Sequence, residues 1–350
     1  MKFVKDSVTS LSEYFVLQDF SVVKLNQNES PFDVPAELKD KILKKLAEMN
    51  WNRYCENRPL ALIRAIAEYT QFPESGIVAA NASNEIIQAV FSTFCRQDDK
   101  IVVVTPGFSV YPRLAHLHEM TLVPVPLGVN FEFDVSQIIW AAAEAKMVIL
   151  SSPNNPTGTT LPIEAVIQIA KGINGVFVLD EAYVDFHKIS AQEYIHKFEN
   201  LVIIRTFSKA FSLAGLRLGY VLAQPHIAKQ LEKAKLPFSV GIFQQIAGEM
   251  LMKNHAAINK NVEIIISERE KLFAALTKFD QVHPIKSAAN FIIFKIDGRS
   301  AQLAFELFYQ NGILLRYFNE KQLSPFLRVT IGKPDENNKF LTVLKKILSK

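Results

Sequence analysis

Cysteine is scarce: the 350 residues contain only Cys55 and Cys95. Two thiols make neither a disulfide framework nor a metal-ligand pattern. The seven histidines supply one His116-x-His118 pair but no His/Cys cluster with zinc spacing, so no structural metal is expected. Charge of one sign is also sparse. The formal net charge is +4, and no stretch gathers Lys and Arg into a stripe interleaved with aromatics, which argues against nucleic acid as a partner. The Lys-rich piece 39–45 alternates with Ile42, Leu43 and Leu46, as a solvated surface helix does. No apolar run approaches the length of a membrane span, and the N-terminus lacks the basic-then-apolar layout of a signal peptide. The expected setting is the reduced cytoplasm, with no membrane partner. Internal repeats, low-complexity tracts and Pro/Ser-rich linkers are missing too.

What the chain does have is apolar residue, 49 % of the total, enough for one large domain and one smaller one. Short apolar runs at 101–104, 147–150, 176–179, 201–204 and 220–222 recur between longer helical stretches. They are continuous rather than alternating, as strands covered on both faces are. The expected class is α/β: a large domain with a mostly parallel, helix-flanked sheet, plus a smaller α+β C-terminal domain. The second part begins with a long amphipathic pattern over 244–279. Strand-like 290–296, a helix, and strand-like 313–315 and 327–331 follow. The expected division is an arm over 1–30 packing on the small domain or a partner, a large domain over 31–245 and a small one over 246–350.

Ligands of parallel sheets bind beyond the carboxyl ends of the strands, and this sequence puts unusual residues there. Run 147–150 leads into Ser151-Ser152-Pro153-Asn154-Asn155-Pro156-Thr157-Gly158, run 176–179 into Asp180-Glu181-Ala182-Tyr183, and run 201–204 into Arg205-Thr206-Phe207-Ser208-Lys209. Taken singly, the first is a turn, Asp180 a helix cap and Lys209 a surface lysine. In succession they offer an amide, a carboxylate and an amine to one ligand. Asn81-Ala82-Ser83-Asn84-Glu85 precedes a helical pattern with Ile86, Ile87, Val90, Phe91 and Phe94 on one face. Ser83 or Asn84 can cap that helix, either as an ordinary N-cap or as the seat of an anion at its positive end. Arg217, eight residues past Lys209, is either a bidentate partner for the same anion or a solvated strand-edge arginine.

Together these segments resemble the fold-type I, pyridoxal-phosphate-dependent aminotransferases, and most closely their histidinol-phosphate branch. The resemblance runs nearly end to end. It starts at Leu25-Asn26-Gln27-Asn28-Glu29-Ser30-Pro31 and continues through Asn52-Arg53-Tyr54, the segment at Ser83, and the PNNPTG, DEAY and TFSKAF segments. It closes with Gly312-Ile313-Leu314-Leu315-Arg316 and Phe326-Leu327-Arg328-Val329-Thr330. The resemblance implies pyridoxal 5′-phosphate as cofactor, bound covalently by Lys209, which then moves the proton on the substrate carbon. Asp180 is implied to face the pyridine nitrogen, with Asn155 and Tyr183 at the ring hydroxyl oxygen and Phe108 stacked on the ring. Ser83, Asn84, Thr206, Ser208 and Arg217 are implied to hold the phosphate. Arg316 and Arg328 would take the anionic groups of two amino donors, glutamate and histidinol phosphate, since an arginine fork pairs with carboxylate or phosphate. Tyr14 is implied near the substrate, and Tyr54 at the cofactor in the neighbouring subunit's site, which makes the expected assembly a homodimer.

The implied reaction transfers an amino group from histidinol phosphate, a small-molecule donor, to 2-oxoglutarate, a 2-oxo acid. Departures from the family pattern bear on the donor. Phe108 stands where tyrosine is usual, Ala82-Ser83-Asn84 replaces Gly-Ser-Asp, and Cys55 replaces the proline after Tyr54, with Glu56-Asn57-Arg58 also off the pattern. An aromatic amino acid aminotransferase and a threonine-phosphate decarboxylase-like enzyme are the alternatives on the same scaffold. A non-catalytic binding protein is disfavoured because Lys209 and Asp180 are both present.

Overall fold

The computed structural model describes residues 3–349. The chain enters as an extended arm carrying one short strand, β1 (Val23–Lys24). The large sheet follows: β2 (Ile77–Ala80), β3 (Lys100–Thr105), β4 (Thr121–Pro126), β5 (Met147–Ser151), β6 (Val176–Asp180), β7 (Leu201–Thr206) and β8 (Gly219–Leu222). Their spatial order is β2-β8-β7-β6-β5-β3-β4. All pairings are parallel except those of β8, which runs antiparallel to both β7 and β2.

The continuous apolar runs have a structural cause. In β5, Val148 and Leu150 enter one hydrophobic core while Met147 and Ile149 enter another, on the opposite face. In β6, Phe177 and Leu179 separate from Val176 and Val178 in the same way. Alternate side chains of one strand thus serve two cores, and neither face is left for polar residues.

The smaller unit holds β9 (Val282–Pro284), β10 (Phe291–Ile296), β11 (Ile313–Leu314), β12 (Arg316–Tyr317) and β13 (Phe326–Thr330). Four of these form an antiparallel sheet in the order β12-β13-β10-β9. Phe308 and Phe340 stack beneath it, ring centroids 5.1 Å apart. β1 pairs in parallel with β11, and Thr330 N–H donates to Leu25 O at 2.9 Å, so the arm packs along the small sheet. It also reaches the large sheet's side, where Arg113 donates to Ser12 O at 2.8 Å.

Three expectations change in detail. The pattern over 244–279 is two helices, Ile242–Lys253 and His255–Leu276, broken at Asn254, whose side chain donates back to Met250 O at 2.7 Å. In the Lys-rich helix Ala36–Ala47, Leu38, Ile42 and Leu46 are buried but Leu43 faces out, because only residues three to four apart share a face. The strands β2 and β4, which are not among the five runs singled out in the sequence, flank the sheet at its two edges. Among the described residues no helix is long and apolar enough to cross a membrane.

Candidate active site

The C-terminal ends of β5, β6 and β7 and the N-terminal start of β8 open on one cavity of about 340 Å³. Asp180, the last residue of β6, is buried in its floor. One carboxylate oxygen accepts from Ala182 N–H (2.9 Å), the other from the Tyr111 hydroxyl (2.8 Å). Burial raises its pKa to about 6, against the lowering effect of the Tyr111 and Ala182 hydrogen bonds.

Lys209, in the loop after β7, reaches the same cavity and donates to Gln27 O at 2.9 Å. Burial lowers its pKa to about 7, and the cations Arg328, Arg217 and Lys24 add to the effect while Glu29 opposes it. Near-neutral pH therefore leaves much of this amine unprotonated, as a nucleophile requires. Tyr183 is buried beside it, its hydroxyl accepting from Asn28 Nδ2 at 3.0 Å, and burial pushes its pKa up to about 12.

At the other wall, β12 and β13 set Arg316 directly opposite Arg328. Like charges opposite each other across a strand pair repel, so this register is favourable where an anion sits between them. Arg328 is 7 % exposed and donates to Asn155 Oδ1 (2.6 Å) and Asn26 O (2.9 Å), while its Nε has no partner. Its guanidinium lies 5.1 Å from the Phe291 ring and 5.7 Å from that of Phe318. Burial brings its pKa down to about 10, with Arg316 adding to it and Tyr183 resisting.

The third corner is the N-terminus of the helix Ala82–Phe94. Capping by Ser83 or Asn84 is not observed. The N-cap is Asn81, with no side-chain capping bond, so Ser83 and Asn84 lie in the first turn and their backbone N–H groups face the cavity region uncapped. Ala82 there adopts a left-handed φ of 64°. Gly219 lets β8 approach: a Cβ on it would lie 2.7 Å from Ser83 N and 2.8 Å from Ala82 C. Thr206 Oγ1 accepts from Ser208 N–H at 3.1 Å, and Arg217 Nη1 sits 3.5 Å from Ser208 Oγ and donates to Ala214 O at 3.0 Å. Phe108, edge-on to Tyr111 at 5.4 Å, and the exposed Tyr14 complete the wall.

Thirteen of the fourteen residues singled out from the sequence thus line one cavity; Tyr54 does not. It is 86 % exposed and stacks on Phe238 with ring centroids 4.7 Å apart. Sequence reasoning gave no role to Asn26, Gln27, Asn28 or Tyr111. The first three sit in the arm segment that carried the resemblance, and Tyr111 one turn past Phe108, but their partners are so distant along the chain that no local pattern marks them.

A lysine at one strand end, a buried carboxylate at the next, and a free helix terminus with serine, threonine and arginine fit a phosphorylated pyridine aldehyde, and the unpartnered Arg328 nitrogen is left for an anionic substrate. The donor set suits pyridoxal 5′-phosphate at each of its functional groups. The chain belongs to the class I and II aminotransferases: the family model "Aminotransferase class I and II" matches residues 21–344. Within that class, a relative from Chlorobium phaeovibrioides named histidinol-phosphate aminotransferase is 36 % identical, over 98 % of this chain and 96 % of its own. The solved histidinol-phosphate aminotransferase of Clostridium acetobutylicum is 25 % identical and superimposes with a TM-score of 0.87, covering 94 % of this chain and 99 % of that one. The Sinorhizobium meliloti histidinol-phosphate aminotransferase, solved with pyridoxal-5′-phosphate, has the same fold: TM-score 0.90 at 21 % identity, covering 100 % of this chain and 98 % of that one.

Proposed function

We propose that this protein transfers the amino group of L-histidinol phosphate to 2-oxoglutarate, using pyridoxal 5′-phosphate, in the synthesis of histidine. The observation that carries the reading is the convergence of Lys209, Asp180 and the facing pair Arg316/Arg328 on one cavity. When bound, the cofactor supplies an electrophilic carbon and an electron-withdrawing ring. The chain's residues do the rest. Lys209 would hold the cofactor's aldehyde carbon through its neutral amine, with loss of water, and, once displaced by the donor's amine, would carry the proton to and from the substrate carbon. Asp180 accepts the hydrogen bond of the protonated pyridine nitrogen and holds that proton in place. Asn155 and Tyr183 orient the ring through its oxygen, and Phe108 covers its face. Ser83, Asn84, Thr206, Ser208 and Arg217 grip the phosphate. Arg316 and Arg328 pair with the donor's phosphate in one half-reaction and with the carboxylate of glutamate or 2-oxoglutarate in the other. Tyr14 closes on the substrate from the arm.

The same reading makes the working unit a homodimer in the cytoplasm, each Tyr54 serving the neighbouring site. Its support is the exposure of Tyr54 outside its own chain's cavity. It also divides the chain near residue 245 into large and small domains after an arm of thirty residues, a division supported by two sheets drawn from separate stretches of sequence. The test is a visible-absorption titration of the purified enzyme with L-histidinol phosphate and no acceptor acid. The band of the lysine-bound cofactor should bleach as the pyridoxamine form grows. A band that ignores this donor but responds to phenylalanine or phosphothreonine would reassign the substrate.

A further inference from the structure

Outside the cavity, one ammonium group is buried with no role in the chemistry above. Lys235 caps the C-terminus of the helix Pro225–Ala234 and is 5 % exposed. Its Nζ donates to Ala79 O (3.1 Å) and Asn57 O (3.2 Å), and Glu232 Oε1 lies 3.0 Å away. Two backbone carbonyls accept from the ammonium and one carboxylate balances its charge at ion-pair distance, which offsets its desolvation. Two of those partners belong to segments with distinct tasks. Ala79 lies in β2, the edge strand that runs directly into Asn81 and the phosphate-binding turn at Ser83. Asn57 lies in the loop that displays Tyr54.

The residues after Lys235 repeat the connection. Leu236 N–H donates to Glu85 Oε1 at 3.3 Å, and the other oxygen of Glu85 accepts from Asn81 N–H at 2.5 Å, at the start of the phosphate helix. On the loop side, Phe238 N–H donates to Asn57 Oδ1 (2.6 Å), Gln245 Nε2 to Glu56 O (2.8 Å) and Cys55 Sγ to Val240 O (3.2 Å). Phe238 is also the ring on which Tyr54 stacks. One short segment is therefore fastened to the phosphate turn on one side and to the Tyr54 loop on the other, with the buried lysine at the junction.

We propose that Lys235 is a positioning residue that holds its own chain's phosphate-binding turn and the Tyr54 loop in one frame, so that cofactor seating in one protomer and the Tyr54 contact in the other share an anchor. The second half rests on the reading that Tyr54 serves a partner's site. Two measurements separate the halves. Titrating the apoenzyme with pyridoxal 5′-phosphate should give a dissociation constant roughly ten- to a hundredfold higher for Lys235→Met, largely restored in Lys235→Arg. For the partner effect, a mixed dimer pairs a wild-type chain with one carrying both Lys209→Ala and Lys235→Met. Its single working site has an intact phosphate turn but receives Tyr54 from the altered loop, so the cofactor dissociation constant at that site, read from the lysine-bound band that only this site can form, should rise about tenfold. A parallel dimer with Tyr54→Phe in place of Lys235→Met is the control. Wild-type cofactor affinity in the Lys235 dimer beside an impaired Tyr54 control overturns the shared anchor. Wild-type behaviour in both removes the Tyr54 reading and the anchor with it, while the apoenzyme titration still judges Lys235 at its own turn. If Lys235→Met does not fold by circular dichroism, Lys235→Gln, which keeps a polar end but loses the charge, goes through both arms with the same direction of shift expected. A loss of thermal stability alone, with both constants unmoved, overturns the proposal.

Discussion

Lys209 and Asp180 show how one environment tunes two groups in opposite directions. Burial disfavours charge, so the amine drops to about 7 and the carboxylate climbs to about 6. At pH 7 an ordinary lysine is neutral in roughly one molecule of three thousand; Lys209 is neutral in about half. The rate at which apoenzyme takes up pyridoxal 5′-phosphate should therefore climb with pH through about 7 and level off above it, followed as growth of the visible band. A midpoint near the ordinary lysine value would show that the amine is not desolvated. Stability carries the matching sign. Between about 7 and 10.5 the unfolded chain holds a proton that the native apoprotein has released, so this group makes the apoprotein more stable as pH rises across that window. Once the lysine is consumed by the cofactor, its share of that slope disappears.

At the scale of elements, the phosphate end depends on how closely β8 passes the helix Ala82–Phe94. Gly219→Ala would put a methyl group against backbone atoms of Ala82 and Ser83, neither of which is a flexible side-chain end. The helix N-terminus must then retreat by some tenths of an ångström. The expected outcome is cofactor affinity about tenfold weaker with the far-ultraviolet spectrum unchanged, read by equilibrium titration. The strands were legible because each serves two cores: Val148 and Met147 are both apolar, though they face opposite ways. The site was legible where chemistry sits at strand ends, as with Asp180 and Lys209. The reversal of β8 was not, since its apolar run reads alike in either direction. Nor was the break at Asn254, where the amphipathic period continues across two helices. Tyr111 escaped for a related reason: its partner Asp180 lies on another strand, and only the folded sheet brings them to 2.8 Å.

Over the whole molecule, the arm is a third party to the two sheets, which also meet directly where Arg328 donates to Asn155 and Ala288 N–H to Gly158 O. Asn28, buried and at φ 55°, donates to Tyr183 of the large unit, receives a bond from Asn290 of the small one, and exchanges hydrogen bonds with Thr330. Asn28→Ala leaves the Tyr183 hydroxyl without its donor and puts alanine in a left-handed conformation that asparagine tolerates better. Together these should cost about 3 kcal/mol, visible as a lower denaturant midpoint with an unchanged slope. A variant as stable as the parent would mean that other bridges, such as Arg328 to Asn155, hold the two units without it. The antiparallel course of β8 has one more consequence, and it concerns the order of assembly. β7, the Lys209 loop, Arg217 and β8 form a single hairpin, so half of the phosphate clamp comes together by closing one short loop, at small entropic cost. The other half arrives only when β2, from far upstream, adds to the outer side of β8 and brings the helix terminus with it. The expected order is an arginine-bearing half-clamp before a closed clamp, and phosphate added during refolding should speed the late phase in which β2 docks if that order holds.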